Sequence, residues 1–191
     1  MARPVPRKPI AVFAGGMIAG AALLWIVQQA PPMNWRSVAP PLAHAPLVIR
    51  KDVKGDGHFG APRSGNLMHR GVDLEAPVGS SVLAIRSGRV VETGRHRGRG
   101  LYIEVEHAGN LRSLYAHLQT IDVSAGERVH QGQRLGTVGK TGNARHPWIT
   151  PHLHLEVSRN GALIDPAQLG LVFLEPTHDT ANVDAVGGDG Q

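Results

Sequence analysis

The chain has 191 residues, of which 41% are hydrophobic and 18% are charged, a composition typical of one globular domain with appendages. It contains no cysteine, which excludes disulfides and thiolate metal sites, so any metal must be held by histidines and carboxylates. The formal net charge is +5. No aromatic stacking platform accompanies the arginines, and this argues against a nucleic-acid-binding protein.

An apolar segment near the N-terminus predicts a membrane helix. Residues 1–9 form a basic flank with three cationic side chains, and residues 10–27 then run without a charge. At about 1.5 Å per residue this run spans roughly 27 Å, which is enough to cross a bilayer. The basic flank favours a cytoplasmic N-terminus, with the rest of the chain outside the cytoplasm. A cleaved signal peptide is the alternative, but the residues after Val27 are a poor cleavage site.

The segments on either side of the main domain are predicted to be irregular. Residues 28–46 contain five prolines, so we expect an extended linker that lifts the domain off the bilayer. Residues 174–191 are poor in large apolar side chains and end in a glycine-rich run, which is typical of a disordered tail.

Residues 47–173 have the pattern of an all-β domain built from antiparallel strands. Short apolar runs alternate with glycines and turn residues along this range. In residues 101–107 apolar and polar side chains alternate, as expected for a strand with one buried face. Ala108-Gly109-Asn110 then predicts a turn into residues 111–118, which would complete a β-hairpin.

Two histidine motifs supply a candidate zinc site. His69 and Asp73 form an H-x-x-x-D motif, and His152 and His154 form an H-x-H motif. A strand directs alternate side chains to one face, so both histidines of H-x-H would face a common cleft. Zinc in hydrolases typically keeps three protein ligands and leaves a fourth position to water. Two histidines and one carboxylate fit that requirement, and His117, at the end of a predicted strand, is a further candidate for the same site.

Several motifs in order resemble the M23 family of zinc metallopeptidases, the lysostaphin-type or LytM-type endopeptidases of bacterial cell walls. The resemblance covers roughly residues 55–167. It is carried by Phe59-Gly60-Ala61-Pro62-Arg63, His69-Arg70-Gly71-Val72-Asp73, Ala76-Pro77-Val78-Gly79, Ser87-Gly88-Arg89-Val90, Leu114-Tyr115-Ala116-His117-Leu118, residues 129–136, Gly139-Lys140-Thr141-Gly142 and Pro151-His152-Leu153-His154-Leu155-Glu156.

The resemblance implies a role for each site residue. His69, Asp73 and His154 would bind zinc, and the fold would be an antiparallel β-sheet domain of the lysostaphin or LytM type. His117 and His152 would lie beside the metal-bound water, to activate it or to stabilise the tetrahedral oxyanion. The sequence does not divide these two roles between them.

Three further residues are predicted to contact the substrate. Arg63 matches an arginine upstream of the first ligand, with surface solvation as the alternative. His146 and Trp148 lie in residues 143–150, a loop that is longer here than in many relatives. This loop would lie beside the site, and packing within the loop is the alternative for Trp148.

The resemblance implies a membrane-anchored zinc endopeptidase that hydrolyses peptide bonds in peptidoglycan stem peptides or cross-links. Its partners would be peptidoglycan and, through residues 10–27, the bacterial inner membrane, with the catalytic domain in the periplasm. A non-catalytic LytM-like module that regulates or scaffolds other wall hydrolases is the main alternative, and a structural part of an envelope assembly is another. The presence of all five site residues favours the enzyme.

Overall fold

The computed structural model describes residues 38–53 and 55–177. The predicted membrane helix in residues 10–27 lies outside these ranges. Within them, the protein has no helix of the length and apolarity needed to cross a bilayer.

The described residues form strands and short 3₁₀ turns. The strands are β1 (Leu47–Val48), β2 (Lys51–Asp52), β3 (Gly55–Asp56), β4 (Val72–Glu75), β5 (Ser81–Leu83), β6 (Gly88–His96), β7 (Gly100–His107), β8 (Leu111–Ile121), β9 (Arg128–Val129), β10 (Arg134–Val138), β11 (His152–Arg159), β12 (Ala162–Ile164) and β13 (Phe173–Leu174). The 3₁₀ turns are Ser64–Asn66, Gly142–Arg145 and Pro166–Leu169.

Nine of these strands form one antiparallel sheet. Six of them lie in the order β12-β11-β8-β7-β6-β9, while β4 pairs with β11, and β10 pairs with both β8 and β5. All of these pairings are antiparallel. The predicted all-β antiparallel fold is therefore confirmed, and the predicted hairpin is the β7–β8 pair.

The main core lies on one face of this sheet because apolar residues alternate with polar ones along the strands. Leu153 and Leu155 of β11 are fully buried, and so are Ile103 and Val105 of β7. Removing such a side chain from water contributes roughly 1.5–3 kcal/mol. Since strand side chains alternate in direction, the intervening residues of β11 project from the opposite face, and this is the face that carries the histidines of H-x-H.

Strand β8 runs beyond the predicted end at Leu118. Its first part, Leu111–Ala116, pairs with β11, and its last part pairs with β10. The strand continues to Ile121 because this second partner replaces the first on the same edge. His117 lies at the change of partner.

Both ends of the described chain pack against the sheet. Leu42 is buried and forms a β-bridge with Val82, although it belongs to the segment for which proline content predicts a linker. Phe173 and Leu174 pair in parallel with β1, so the start of the predicted tail is also a strand. Leu42 is buried in the core and Phe173 packs against it, whereas Leu174 is 48% exposed, so burial of apolar area favours the first two contacts.

Candidate active site

The three residues predicted as metal ligands lie together on the polar face of the sheet. The β4–β11 pairing places Asp73 directly opposite His154. His154 Nδ1 lies 2.7 Å from Asp73 Oδ1 and 3.1 Å from His69 Nε2. The third edge, His69 Nε2 to Asp73 Oδ1, is 3.1 Å. All three side chains are buried, and these ligand atoms form a group that could hold one metal ion.

The approach of His69 to β11 depends on Gly71. A Cβ atom at this position would lie 2.2 Å from the carbonyl oxygen of Leu155, far inside van der Waals contact. Only glycine allows the chain before β4 to pass this close to the β11 backbone. Gly71 therefore serves close packing of two backbones.

Hydrogen bonds to the outer nitrogens fix how the two ligand imidazoles are oriented. His69 Nδ1 lies 2.8 Å from the carbonyl oxygen of His58, which can only accept a hydrogen bond. His154 Nε2 lies 3.2 Å from Glu156 Oε1. The inner nitrogens, Nε2 of His69 and Nδ1 of His154, are thus directed at the common site. Such partners set the tautomer of metal-binding histidines. The sequence did not identify His58 or Glu156 as residues that orient the ligand imidazoles.

The charges of the site suit a cation. Burial acts to raise the pKa of Asp73, but hydrogen bonds from His154 and His69 hold that pKa well below its ordinary value. Burial acts to lower the pKa of His154, but Asp73 and Glu156 raise it to about 9. Burial acts to raise the pKa of Glu156, but the hydrogen bond from His154 and the charges of His154, Arg99 and Arg70 lower it to about 2. The carboxylates thus hold a proton on His154 that a bound metal ion would replace.

Arg50 and Asp52 connect the metal-ligand carboxylate to the opposite side of the site. Arg50 is buried, and its Nη2 donates to Asp73 Oδ2 at 2.8 Å. Its Nη1 lies 2.6 Å from Asp52 Oδ1. Asp52 Oδ2 accepts from the Thr150 amide at 3.0 Å, and the Thr150 carbonyl oxygen lies 2.6 Å from His152 Nδ1. This chain of contacts is not predictable from the sequence, since an Arg-x-Asp pair does not show which distant segments it will meet.

His117 and His152 face each other beside the metal-ligand group. Their ring centroids are 4.9 Å apart, and His117 lies 5.9 Å from the His154 ring. His117 Nδ1 lies 2.9 Å from the carbonyl oxygen of Thr141, and His152 Nδ1 is held by Thr150. These contacts leave the Nε2 atom of each ring for the cleft, and His152 Nε2 lies 3.8 Å from Asp73 Oδ1.

Both of these imidazoles are neutral at pH 7. Burial lowers the pKa of His117 to about 3, with further lowering by His152 and His154. Burial also lowers the pKa of His152, against the opposing effect of Asp73. A neutral imidazole can accept a proton, which is what general-base chemistry requires.

The backbone at His117 is left-handed, with a φ of 63°. The other non-glycine residues with positive φ in the described chain are Asn66, Asn110 and Asn160, a residue type that tolerates this conformation. The His117 amide donates to the Arg99 carbonyl oxygen, and the His117 carbonyl oxygen accepts from Gly139. Backbone strain of this kind costs of order 1–3 kcal/mol and concentrates at functional sites.

The residues predicted to contact substrate lie in two places. Arg63 Nη2 is 3.6 Å from Asp73 Oδ2, so this guanidinium reinforces Arg50 at the metal-ligand carboxylate. The rings of His146 and Trp148 stack in parallel, with centroids 5.0 Å apart. Trp148 is 54% exposed. The stacked pair therefore packs within the loop and also leaves an aromatic surface exposed to solvent. Substrate contact by these three residues remains a prediction.

Comparison with known proteins identifies similar chains. Residues 67–166 match the model of peptidase family M23. The chain is 39% identical over 103 residues to the peptidoglycan DD-endopeptidase ShyC of Vibrio cholerae, a match that covers 54% of this chain and 23% of ShyC. It is 34% identical over 116 residues to the murein hydrolase activator NlpD of Salmonella dublin, covering 60% of this chain and 29% of NlpD.

A solved structure shares the fold. The catalytic domain of lysostaphin from Staphylococcus simulans superposes with a TM-score of 0.54 at 34% identity, and the match covers 62% of this chain and 92% of that domain. By contrast, the matches to ShyC and NlpD span less than a third of the length of those two proteins.

Proposed function

The chain belongs to peptidase family M23, and on that premise we propose that it is a zinc-dependent endopeptidase that cleaves peptide bonds in peptidoglycan stem peptides or cross-links. The observation that carries the proposal is the convergence of His69 Nε2, Asp73 Oδ1 and His154 Nδ1 within 3.1 Å of one another. The names of ShyC and lysostaphin support the substrate and reaction, since one is a peptidoglycan endopeptidase and the other an antimicrobial peptidase.

The residues present fit zinc. Two imidazole nitrogens and one carboxylate oxygen are a common ligand set for catalytic zinc. Ligands held about 2.0–2.1 Å from a tetrahedral ion lie roughly 3.3 Å apart, close to the separations of 2.7–3.1 Å between the three atoms. The outer hydrogen bonds to His58 and Glu156 orient both imidazoles as metal ligands require.

The remaining residues supply proton transfer and orientation. When bound, zinc would polarise the scissile carbonyl and lower the pKa of a water molecule. The neutral rings of His117 and His152 would accept a proton from the attacking water and return it to the leaving amine, or stabilise the tetrahedral oxyanion. Their Nδ1 contacts with Thr141 and Thr150 hold each ring in one orientation. No covalent bond between the enzyme and the substrate is needed.

We also propose that residues 10–27 anchor the protein in the bacterial inner membrane as a single span, with the catalytic domain in the periplasm. The uncharged run and its basic flank support this placement. Residues 28–46 would link the anchor to the domain, and residues 174–191 would form the tail. This arrangement would confine hydrolysis to the layer of peptidoglycan near the membrane.

A second candidate function is activation of other wall hydrolases. The similarity to NlpD, a murein hydrolase activator, favours it. The complete set of His69, Asp73, His117, His152 and His154 in one cleft favours catalysis by this chain.

The test combines zinc content with peptidoglycan digestion by the purified full-length chain. We expect His117→Ala to retain zinc and to lose hydrolysis by at least about a hundredfold, the usual scale for a general acid or base. His154→Ala should lose both zinc and hydrolysis. His130→Ala, at an exposed histidine, is the matched control and should retain both.

Two outcomes would contradict the enzyme proposal. One is that His117→Ala and His154→Ala both digest peptidoglycan like the parent. The other is a parent protein that holds zinc and releases no fragments by mass spectrometry, yet stimulates a second hydrolase. That result would assign the activator function instead.

A further inference from the structure

A small basic pocket lies beside the metal centre, on the same face of the sheet. It has a volume of about 150 Å³. The charged and polar side chains that line it include Arg70, Arg99, Glu104, Arg112, Glu156 and Ser158.

Glu156 joins this pocket to the metal centre. Its Oε1 atom lies 3.2 Å from His154 Nε2, and its Oε2 atom faces the pocket. Glu156 follows His154 by two residues on β11, so the two side chains share a face and are roughly 6.6 Å apart along the strand. A peptide bound across the metal centre in this direction would extend over the pocket.

Arg70 and Arg99 share a single carboxylate. Arg70 Nε lies 3.5 Å and Arg99 Nη2 lies 3.4 Å from the same atom, Glu156 Oε2. Both distances are at the long limit for a hydrogen bond, and Glu156 also bonds His154. Two guanidinium charges are therefore balanced by one carboxylate, and the other oxygen of that carboxylate is already hydrogen-bonded to His154. Their side chains are 60% and 34% exposed, so an incoming anion can reach them.

Arg112 differs from this pair although it lines the same pocket. Its Nη1 lies 3.3 Å from Glu104 Oε1, and its Nη2 lies 2.9 Å from Glu106 Oε1. One guanidinium thus contacts two carboxylates. The excess positive charge of the pocket belongs to Arg70 and Arg99.

Both arginines lie near histidines of the site, Arg70 because it is adjacent in sequence and Arg99 through a backbone hydrogen bond. Arg70 directly follows His69. The carbonyl oxygen of Arg99 accepts from the His117 amide at 2.8 Å, and its guanidinium lies 5.9 Å from the centre of the Tyr102 ring. A group bound by both side chains would therefore lie close to the metal centre.

We propose that Arg70 and Arg99 bind a carboxylate of the substrate and thereby select which peptide bond lies at the metal centre. The planar donors of arginine match a carboxylate in two-point contact. This inference rests on the proposed function, because peptidoglycan stem peptides carry free carboxylates beside their cleavable bonds. A peptide whose carboxylates are amidated would lose the charge that the pocket recognises.

The experiment compares two forms of one substrate. Cross-linked muropeptides with free carboxylates are the first form. The same muropeptides, amidated with methylamine and a carbodiimide, are the second. We expect the full-length parent to show a KM for the free acid that is roughly ten- to hundredfold lower, the scale of a charge-assisted hydrogen bond. Arg70→Gln and Arg99→Gln should each reduce that preference, and the double variant should abolish it.

The matched control is Arg112→Gln, which removes a guanidinium from the same pocket and should keep the preference. Zinc content is measured in every variant, since loss of zinc would show that the substitution acts through Glu156 and His154. If Arg70→Gln and Arg99→Gln raise KM equally for both forms, the arginines only hold Glu156 and the inference is overturned. A parent with no preference overturns it as well.

A binding measurement separates this inference from the proposed function. The zinc-loaded His117→Ala variant is titrated calorimetrically with both forms, alone and combined with Arg70→Gln. A parent that hydrolyses neither form would refute the enzyme. In that case a binding preference for the free acid that disappears with Arg70→Gln would still support the pocket, and equal binding would refute it.

Discussion

At the scale of single residues, the site depends on which nitrogen of each imidazole already makes a hydrogen bond. A backbone carbonyl holds Nδ1 of His69, His117 and His152, and Glu156 holds Nε2 of His154. Each imidazole is thus left with one nitrogen for the cleft. The identity of that nitrogen decides whether a histidine can bind metal or transfer a proton.

Arg50 provides a test of positioning at this scale. We expect Arg50→Lys to weaken zinc binding by about ten- to a hundredfold, the usual effect of losing a partner that orients a metal ligand. The reason is that a lysine ammonium is a point charge and cannot place two separate nitrogens on Asp73 and Asp52, as Arg50 does. Competition with a chromophoric chelator measures the affinity.

Lys51→Ala is the control for Arg50→Lys, because Lys51 is adjacent and its side chain is 49% exposed. It should bind zinc like the parent. Unchanged zinc affinity in Arg50→Lys would show that Asp73 keeps its orientation without the guanidinium.

At the scale of elements, the site is formed where strands meet or change partners. The β4–β11 pairing aligns Asp73 with His154, and β8 changes from β11 to β10 at His117. Irregular positions in a strand can redirect a side chain and are common next to active sites. The left-handed φ of His117 belongs to such a position.

Gly71→Ala tests the close approach of the β4 entry to β11. The added Cβ would meet backbone atoms of Leu155 and Glu156, which cannot rotate away. We expect the free energy of unfolding to fall by at least about 1–3 kcal/mol, and zinc affinity to fall with it because His69 and Asp73 flank this glycine. Urea denaturation and a zinc titration measure the two effects.

Gly98→Ala is the corresponding control. Its Cβ would meet ordinary contacts at 3.5 Å or more, so stability should change by less than about 0.5 kcal/mol. A Gly71→Ala protein as stable as the Gly98→Ala protein would mean that the β4 segment can move away from β11 without cost.

At the scale of the whole molecule, buried histidines make folding depend on pH. His107 is buried away from the metal centre, with Nδ1 3.1 Å from the Ser87 carbonyl oxygen and Nε2 2.7 Å from Ser113 Oγ. Burial lowers its pKa below the ordinary value. The unfolded chain therefore binds a proton at His107 more readily than the folded chain does, and stability is lost as pH falls below about 6.5.

His107→Gln should reduce this loss. For metal-free protein, one such proton changes the free energy of unfolding by up to about 1.4 kcal/mol per pH unit. We expect the difference in stability between pH 7 and pH 5 to be smaller in the variant than in the parent, as measured by urea denaturation with chelator present. The exposed His130→Gln should keep the parental difference, and an identical pH dependence in all three proteins would contradict the role of His107.

The sequence by itself determined the fold class and proposed the groups that carry the chemistry. Alternation in residues 101–107 and in His152-Leu153-His154-Leu155-Glu156 predicts strands with one buried face, because strand periodicity is a local property. The two histidine motifs proposed His69, Asp73 and the pair His152 and His154 as candidate ligands because donor chemistry depends on residue type, and the resemblance to the M23 family singled out His154 of that pair. Their place in one site is supported by the distances between them.

Only the tertiary structure decided the surroundings of these groups. Arg50 and Asp52 reach Asp73 and Thr150 through pairings between segments far apart in the chain. The carbonyl that orients His69, the strain at His117 and the shared contact of Arg70 and Arg99 with Glu156 arise in the same way. Residue types and spacing encode local periodicity and ligand chemistry, whereas long-range contacts depend on how distant strands are paired, and no local pattern records that pairing.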